Sequence, residues 1–310
     1  MTGWFACLPD QPAVVDGPSD ADAGLCATGV AFPSAFEAPH RVFSMPLGVD
    51  RRGASLSHDE LTIYFGNSTT SSGILYPSRI HTAIRPRRSE LFVNSEEWDV
   101  NRLAGQDFPR FSDDGKTVVF AGITENGGYP HLFFSSNSGA PKPLALNLDG
   151  GQFELNPFLR MRTNGTGELY FAQCTNGSVD NCDSDSTDQG SRDLFRVSIR
   201  NPNLGSTDAF SDAEALTEIN TRLENEYTPV VSSDGLEIFF GRSGKIFRAW
   251  RNPGERQFHD VEAAEGLLAV GRAPNWLSPD NCRLYFQSSE TQTTPGIVDI
   301  WVAERKPPTN

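Results

Sequence analysis

An acidic loop contains the residues whose types best suit metal chemistry. Asp180, Asp183, Asp185 and Asp188 alternate with serine, threonine and asparagine. Carboxylate and hydroxyl oxygens are the hard ligands that Ca²⁺ prefers, so the four aspartates are the candidate calcium ligands, and Ca²⁺ is the one candidate cofactor. The loop lacks the glycine and the distal glutamate of an EF-hand loop, and the competing interpretation is a solvated acidic loop.

Four other aspartates recur at one position of an internal repeat and could act as acid/base carboxylates. They are Asp59, Asp114, Asp234 and Asp280. Paired carboxylates are the catalytic groups of glycoside hydrolysis. A residue present in nearly every repeat is more typical of a turn, where it accepts hydrogen bonds from backbone N–H groups. We therefore interpret these aspartates as structural turn residues and predict no catalytic residue.

Histidines, tryptophans and short motifs add little evidence for an enzyme. The five histidines are spread over different repeats, and four of the tryptophans, at 98, 250, 276 and 301, could stack on a glycan or wedge between repeats. Gly-x-Ser-x-Gly, His-Glu-x-x-His, Cys-x-x-Cys and a phosphate-binding glycine loop are all absent from the sequence. These observations exclude the common hydrolase and nucleotide-binding signatures.

The five cysteines suggest an oxidising compartment. Cys174 and Cys182 bracket a polar loop, which a disulfide would restrict. Cys7, Cys26 and Cys282 compete for a second bridge, and Cys26 with Cys282 is preferred because of the ring closure described below. The alternative is that Cys282 is a small buried residue and that Cys7 or Cys26 is free.

A nine-residue repeat positions these groups. Each of five copies starts with a hydroxyl residue and ends eight positions later at a marker phenylalanine, and the third copy has Gly165 where the others have aspartate. The marker residues are Phe65, Phe120, Phe171, Phe240 and Phe286. A turn followed by an apolar run predicts a tight hairpin and a buried strand. This regularity is typical of a repeat architecture.

The residues around each copy predict a four-stranded unit. Third strands are expected at the apolar pairs that start at positions 75, 132, 194, 246 and 300, and weaker fourth strands follow in the first four copies. Four strands per repeat is typical of a β-propeller blade, so we predict an all-β propeller with five blades, or six if the first 35 residues fold. The fifth copy has no fourth strand, and residues 36–43 are expected to pair with it and close the ring, which brings Cys26 near Cys282.

Composition limits the class of partner. A formal charge of −14 argues against nucleic acid, and no apolar run is long enough to span a membrane. Residues 1–30 are predicted to be an acidic, low-complexity tether and residues 31–310 a single propeller domain. The tether resembles the spacer after the lipidated cysteine of bacterial lipoproteins, with Cys7 at the anchor position, although Trp4 stands where the lipobox normally has leucine.

The pattern Pro-x-x-Ser-x-Asp-Gly-x-x-φ-x-Phe (φ apolar), followed by Asp-Ile-Trp-Val-Ala-x-Arg, resembles the TolB-type propeller repeat of bacterial periplasmic and outer-membrane-associated proteins. Residues 226–251 and 272–305 match it best. The resemblance implies a propeller and an exported location, but it does not select a function. We expect a non-enzymatic module that binds a protein or peptide in the cell envelope. The alternatives are a carbohydrate-active enzyme with its site at the axial end, and a calcium-stabilised envelope module.

Overall fold

The computed structural model describes fourteen stretches of the chain. They are residue 26 and residues 36–44, 50–68, 78–98, 103–112, 114–124, 130–137, 139–146, 148, 153–162, 164–174, 192–267, 270–289 and 298–305. Twenty strands in this part of the chain form five antiparallel four-stranded sheets, each of which is one blade of a propeller. Within the same stretches no helix is long and apolar enough to cross a membrane.

Blades I to III each take four consecutive strands. Blade I contains β2 (Asp50–Leu56), β3 (Thr62–Ser68), β4 (Arg79–Ile84) and β5 (Ser95–Glu97). Blade II contains β6 (Gly105–Phe111), β7 (Thr117–Ile123), β8 (His131–Ser136) and β9 (Lys142–Pro143). Blade III contains β10 (Phe153–Met161), β11 (Gly167–Cys174), β12 (Arg192–Ile199) and β13 (Glu214–Ala215).

Blade IV follows the same order, whereas blade V combines distant parts of the chain. Blade IV contains β14 (Glu226–Val231), β15 (Glu237–Arg242), β16 (Lys245–Trp250) and β17 (His259–Ala263). Blade V contains β18 (Ala273–Leu277), β19 (Arg283–Ser288), β20 (Asp299–Glu304) and β1 (His40–Arg41). Of the expected strand at 36–43, residues 40–41 form the strand, with His40 opposite Val302 and Arg41 opposite Trp301.

The first strand of every blade faces the propeller axis. These inner strands, β2, β6, β10, β14 and β18, contact one another in cyclic order, with β18 against β2. The next strands carry the marker phenylalanines, which are all fully buried. Blades therefore stack through apolar faces, as expected for units that cannot bury both faces alone.

The repeated aspartate forms the turn between the first and second strands. In blade I, Asp59 Oδ1 accepts hydrogen bonds from the Leu61 backbone N–H (3.0 Å) and from the Ser57 hydroxyl (2.6 Å). The residue that follows the aspartate has a positive φ, which favours glycine. Glycine occupies that position in blades II to IV, whereas Glu60 (φ 62°) and Asn281 (φ 59°) occupy it in blades I and V.

The assignment of Gly165 to the aspartate position was wrong. The turn of blade III is one residue shorter than the others, since the Arg162 N–H bonds to the Thr166 carbonyl oxygen whereas the Ser112 N–H bonds to that of Thr117. Asn164 Oδ1 accepts from the Thr166 N–H (3.0 Å) and so takes the role of the aspartate. Gly165 (φ 78°) is then the residue with the positive φ.

The third strand of blade I also differs from the expectation. It spans residues 79–84 rather than the apolar pair at 75–76, which lies outside the described residues. In blades II to IV the marker phenylalanine stacks on an aromatic ring of the third strand, as Phe120 does on Phe133. In blade I the residue opposite Phe65 is His81, so the apolar pattern there is weaker.

The two sides of blade V are connected to its neighbours by buried polar contacts. Glu60 of blade I is fully buried, and its carboxylate accepts from both Arg283 Nε (2.9 Å) and the Tyr285 hydroxyl (2.7 Å) of blade V. On the other side Arg305 donates to Glu237 of blade IV (2.9 Å). A disulfide joins Cys26 to Cys282, with 5.1 Å between their Cα atoms.

Candidate functional site

The face of the propeller on which the inner strands begin carries a set of buried carboxylates. We call it the axial face. Because the sheets are antiparallel, the third strands also begin there. Four of the five inner strands place a buried acidic residue at or near their first residues. These residues are Asp50, Asp107, Glu154 and Glu226.

Asp50 and Asp107 form a cluster with Arg52 between blades I and II. Arg52 Nε donates to Asp50 Oδ2 at 2.6 Å. Asp107 accepts from the Phe108 N–H (2.8 Å) and the Ser78 hydroxyl (3.3 Å). Its carboxylate fits because Gly66 has no side chain, since a Cβ there would lie 1.7 Å from Asp107 Oδ1.

Burial changes the protonation of Asp107. Loss of solvent raises its pKa to about 6, with a further rise from the negative charge of Asp50, against the opposing effects of Arg52 and two hydrogen bonds. A carboxyl group whose pKa is raised to about 6, beside a carboxylate paired with arginine, is an arrangement that acid/base catalysis can use.

Glu226 occupies the axial end of blade IV. Burial raises its pKa to about 7, although Arg242 and the hydrogen bonds from Thr221 act in the opposite direction. Arg242 Nε donates to the carboxylate at 2.8 Å, and the Thr221 hydroxyl donates at 3.0 Å. These bonds attach the loop before β14 to β15, so Glu226 also stabilises its own blade.

His131 and Glu154 connect blades II and III. His131 Nδ1 lies 2.8 Å from Glu154 Oε2, and the histidine side chain is half exposed. The hydrogen bond from Glu154 raises the pKa of His131, against the opposing effect of partial burial. The pair is therefore a pH-sensitive contact between two blades.

We expect this contact to make stability fall as pH rises above neutrality. Because the folded-state pKa of His131 is raised, its contribution is fully present below the unfolded-state value of about 6.5 and is lost as pH rises through the folded-state pKa. For a half-exposed pair the loss should be about 0.5 kcal/mol. Urea unfolding from pH 5.5 to 8.5 measures it, and Glu154→Gln should remove that component. A wild-type pH slope in Glu154→Gln would contradict this assignment.

The aspartates singled out from the repeat lie elsewhere. Asp59, Asp114, Asp234 and Asp280 lie in the turns between first and second strands, on the face opposite the axial carboxylates. Each accepts a hydrogen bond from the backbone N–H two residues later. The repeat therefore does not bring them together into one site.

The calcium hypothesis stays a prediction, because Asp180, Asp183, Asp185 and Asp188 fall outside the described residues, as does Cys7. In the stretches that the structure describes, no group of three or more His, Cys, Asp or Glu residues could hold a metal ion. Cys174 is disulfide-bonded, and its predicted partner Cys182 also lies outside the described residues.

Sequence reasoning did not find the axial carboxylates. They do not share a fixed distance from the marker phenylalanines, because they occupy the first, second or third residue of inner strands that differ in length. A weaker signal was available, since Asp107, Glu154 and Glu226 each stand two or three residues before a proline of the inner strand. An acidic residue just before that proline marks the axial face.

No protein-family model and no curated protein sequence matches the chain. Solved structures share its fold. TolB from Acinetobacter baumannii is 14% identical with a TM-score of 0.45, and the chain, of which 83% is covered, spans 56% of the length of that protein. A thermostable family-43 glycoside hydrolase is 13% identical, with 88% and 97% of the two chains covered and a TM-score of 0.55.

A GH43_1 enzyme from Xanthomonas citri, solved in complex with xylotriose, is 12% identical, with 86% and 89% of the two chains covered and a TM-score of 0.54. At these identities the similarities are similarities of fold. The chain is a five-bladed β-propeller whose structural neighbours include both TolB and glycoside hydrolases.

Proposed function

We propose that this chain is an exported, non-catalytic propeller that binds a protein or peptide of the cell envelope. The observation that carries the proposal is an exposed apolar strip on blade I, which consists of Ile84, Leu91 and Val93. These side chains are 63%, 42% and 47% exposed. Adjacent exposed apolar side chains are typical of interaction sites on soluble domains.

The backbone holds this strip in place. Phe92, which lies between Leu91 and Val93 in sequence, is buried. Its N–H donates to the Val42 carbonyl oxygen (2.8 Å), and its carbonyl oxygen accepts from the Ser44 N–H (3.0 Å). Alternation along the extended chain then directs Leu91 and Val93 away from the core. The pairing of Ala83 with Ser95 brings Ile84 to the same region.

Charge around the strip favours an acidic partner. Arg87 and Arg88 are exposed and adjacent in sequence, between Ile84 and Leu91. Residues 85–90 contain three arginines and one glutamate, Glu90, which lies 3.9 Å from Arg87. The segment is therefore net basic, whereas the whole chain carries a formal charge of −14. A peptide with apolar and acidic side chains would match both features, and positive charge of this kind increases association rates.

The axial carboxylates support a binding role over catalysis, because each has donors within the protein. Arg52 bonds to Asp50, Ser78 and the Phe108 N–H bond to Asp107, and Arg242 bonds to Glu226. Such contacts are typical of groups that stabilise a fold. The Cys26–Cys282 disulfide supports export to an oxidising compartment, where such bonds persist.

Site-specific photo-crosslinking tests the binding role. We expect a crosslinker at position 91, in cells that express the full chain, to capture a discrete protein, and Val93→Glu to abolish the capture. Leu223 is the matched control, since it is a leucine exposed on another blade (68%). Equal capture at positions 91 and 223, or capture at 91 that survives Val93→Glu, would contradict the proposal.

The second candidate function is a carbohydrate-active enzyme at the axial face. It is favoured by the two inner-strand carboxyls with raised pKa, about 6 for Asp107 and about 7 for Glu226. Hydrolytic activity is measured as the release of reducing sugar from xylotriose and related oligosaccharides. Activity that falls at least a hundredfold in Asp107→Asn would favour the enzyme, whereas no turnover by the wild-type chain would leave the binding role.

A further inference from the structure

Every inner strand has a β-bulge at the same place in its blade. The register shifts between Arg52 and Ser55 in blade I, and at the corresponding positions in the other four blades. In blades I to IV the first residue of the bulge has a positive φ. These residues are Gly53 (φ 56°), Phe108 (φ 52°), Asn156 (φ 50°) and Thr228 (φ 48°).

Glycine adopts a positive φ most easily. The phenylalanine, asparagine and threonine at this position are therefore each less favourable there than glycine. Thr228 is the most unfavourable, because β-branched residues rarely adopt a positive φ. Phe108 has a packing reason, since its ring fills the space beside Gly53, where an added Cβ would lie 2.5 Å from Phe108 Cδ1. Strain of this kind is characteristic of functional sites.

The bulges of blades III to V carry polar side chains that are buried but not fully hydrogen-bonded. Asn156, Thr228 and Asn275 are all more than nine-tenths buried. Within the described part of the chain, Asn156 Oδ1, Thr228 Oγ1 and Asn275 Nδ2 have no hydrogen-bond partner. Asn275 Oδ1 accepts from Gln287 Nε2 at 3.3 Å, which fixes the orientation of its amide. Buried polar atoms without partners are rare in folded proteins.

These three residues lie on consecutive inner strands, β10, β14 and β18, which contact one another around the axis. Together they offer an acceptor, a hydroxyl group and a donor. The equivalent bulge positions of blades I and II are apolar, with Gly53 and Phe108. Arg110 lies on the same inner strand as Phe108, and its Nη1 is occupied by the carbonyl oxygens of Gly53, Ala54 and Pro109 (2.7–2.8 Å).

We infer that the axis holds a binding site for a small uncharged molecule rich in hydroxyl groups, such as a polyol or a monosaccharide. A hydroxyl group both donates and accepts, so one ligand can satisfy all three side chains, while its C–H face packs against Phe108. A charged ligand would require an unpaired counter-charge, which these three groups do not provide. This site is separate from the apolar strip on blade I and does not depend on it.

Calorimetric titration of the full chain with xylitol, D-xylose and glycerol tests the site. We expect saturable binding of at least one of these probes, and Thr228→Val, which removes only the hydroxyl group, should weaken it about tenfold. Lack of saturable binding for all three probes, or binding that is unchanged in Thr228→Val, would overturn the inference.

Thr228→Gly gives a second readout that is independent of the ligand. It should raise the melting temperature of the ligand-free chain by about 2 °C, because glycine adopts the positive φ without strain, and it should also lose binding. Phe108→Gly is the matched control, since it relieves the same φ but removes packing and should lower the melting temperature. A lower melting temperature in Thr228→Gly would show that the Thr228 side chain serves stability rather than a ligand and would overturn the inference.

Discussion

Glu60→Ala should lower the free energy of unfolding by about 3 kcal/mol, although the residue lies in the turn between β2 and β3. Removing one partner of a buried ion pair costs about 3–5 kcal/mol, because the other charge is left buried without compensation. Here the remaining groups are Arg283 and the Tyr285 hydroxyl, both on blade V. Asp280, which also bonds to Arg283 at 2.8 Å, keeps the expected loss near the lower end of the range.

The position of Glu60 means that this loss weakens the attachment of blade V to blade I. Blade V contains the last strands of the chain and β1 from the opposite end, so its attachment to blade I joins distant parts of the sequence. Burial of the Tyr285 hydroxyl raises its pKa, and the neighbouring negative charge of Glu60 raises it further. The group is therefore neutral and donates a hydrogen bond to Glu60.

Comparison of Glu60→Ala with Glu60→Gly separates the ion pair from the backbone. Since Glu60 has a φ of 62°, glycine should recover about 1 kcal/mol of strain that alanine retains. Both free energies are measured by urea unfolding. Glu90→Ala is the control, because Glu90 is an exposed carboxylate of the same blade, 3.9 Å from Arg87, and should change stability by less than about 0.5 kcal/mol.

Two results would contradict this explanation. If Glu60→Ala and Glu60→Gly were both within 1 kcal/mol of the wild type, the buried pair would not stabilise the contact between blades I and V. If the two variants were equally destabilised by several kcal/mol, the pair would matter but the positive φ would store no strain. Either result would separate two effects that act at one residue.

The repeat was predictable from sequence because interactions between residues close in sequence determine the turn and the strand that follows it. The turn needs an acceptor side chain and then a positive φ, and Asp234 followed by Gly235 supplies both within two residues. The strand after the turn is buried on both faces and therefore contains consecutive apolar residues. Such a run identifies a blade whatever the surrounding sequence is. Five such signals predicted five blades, and the structure confirms that number.

Features that depart from the repeat pattern were not predictable in the same way. His81 lies opposite Phe65, where blades II to IV have phenylalanine, so the third strand of blade I had a weaker apolar signal. Asn164 substitutes for aspartate because one residue is missing from its turn, which a search at fixed spacing misses. The axial carboxylates come to lie on one face only after the ring forms, and their separation in sequence depends on the lengths of the loops between them.

The disulfide between Cys26 and Cys282 was predicted from the topology of blade V, and its removal is the other change with a large expected effect. We expect Cys26→Ser with Cys282→Ser to lower the free energy of unfolding by about 2–5 kcal/mol, because a bridge between residues 256 positions apart restricts much of the unfolded chain. The Cys26 N–H also bonds to the Asp280 carbonyl oxygen (2.9 Å), which helps to hold the bridge at the turn of blade V.

Thermal and urea unfolding of the double variant, with and without a reductant, measures this effect. Reduced wild-type protein should match the double variant if this bridge carries most of the stabilisation by disulfides, whereas the disulfide at Cys174 should account for any further loss. The single variant Cys26→Ser is the matched control, since it frees Cys282 without a second substitution and should be equally destabilised. A double variant that unfolds like the wild type would mean that β1 and the contacts of Glu60 hold blade V in place without the covalent bond.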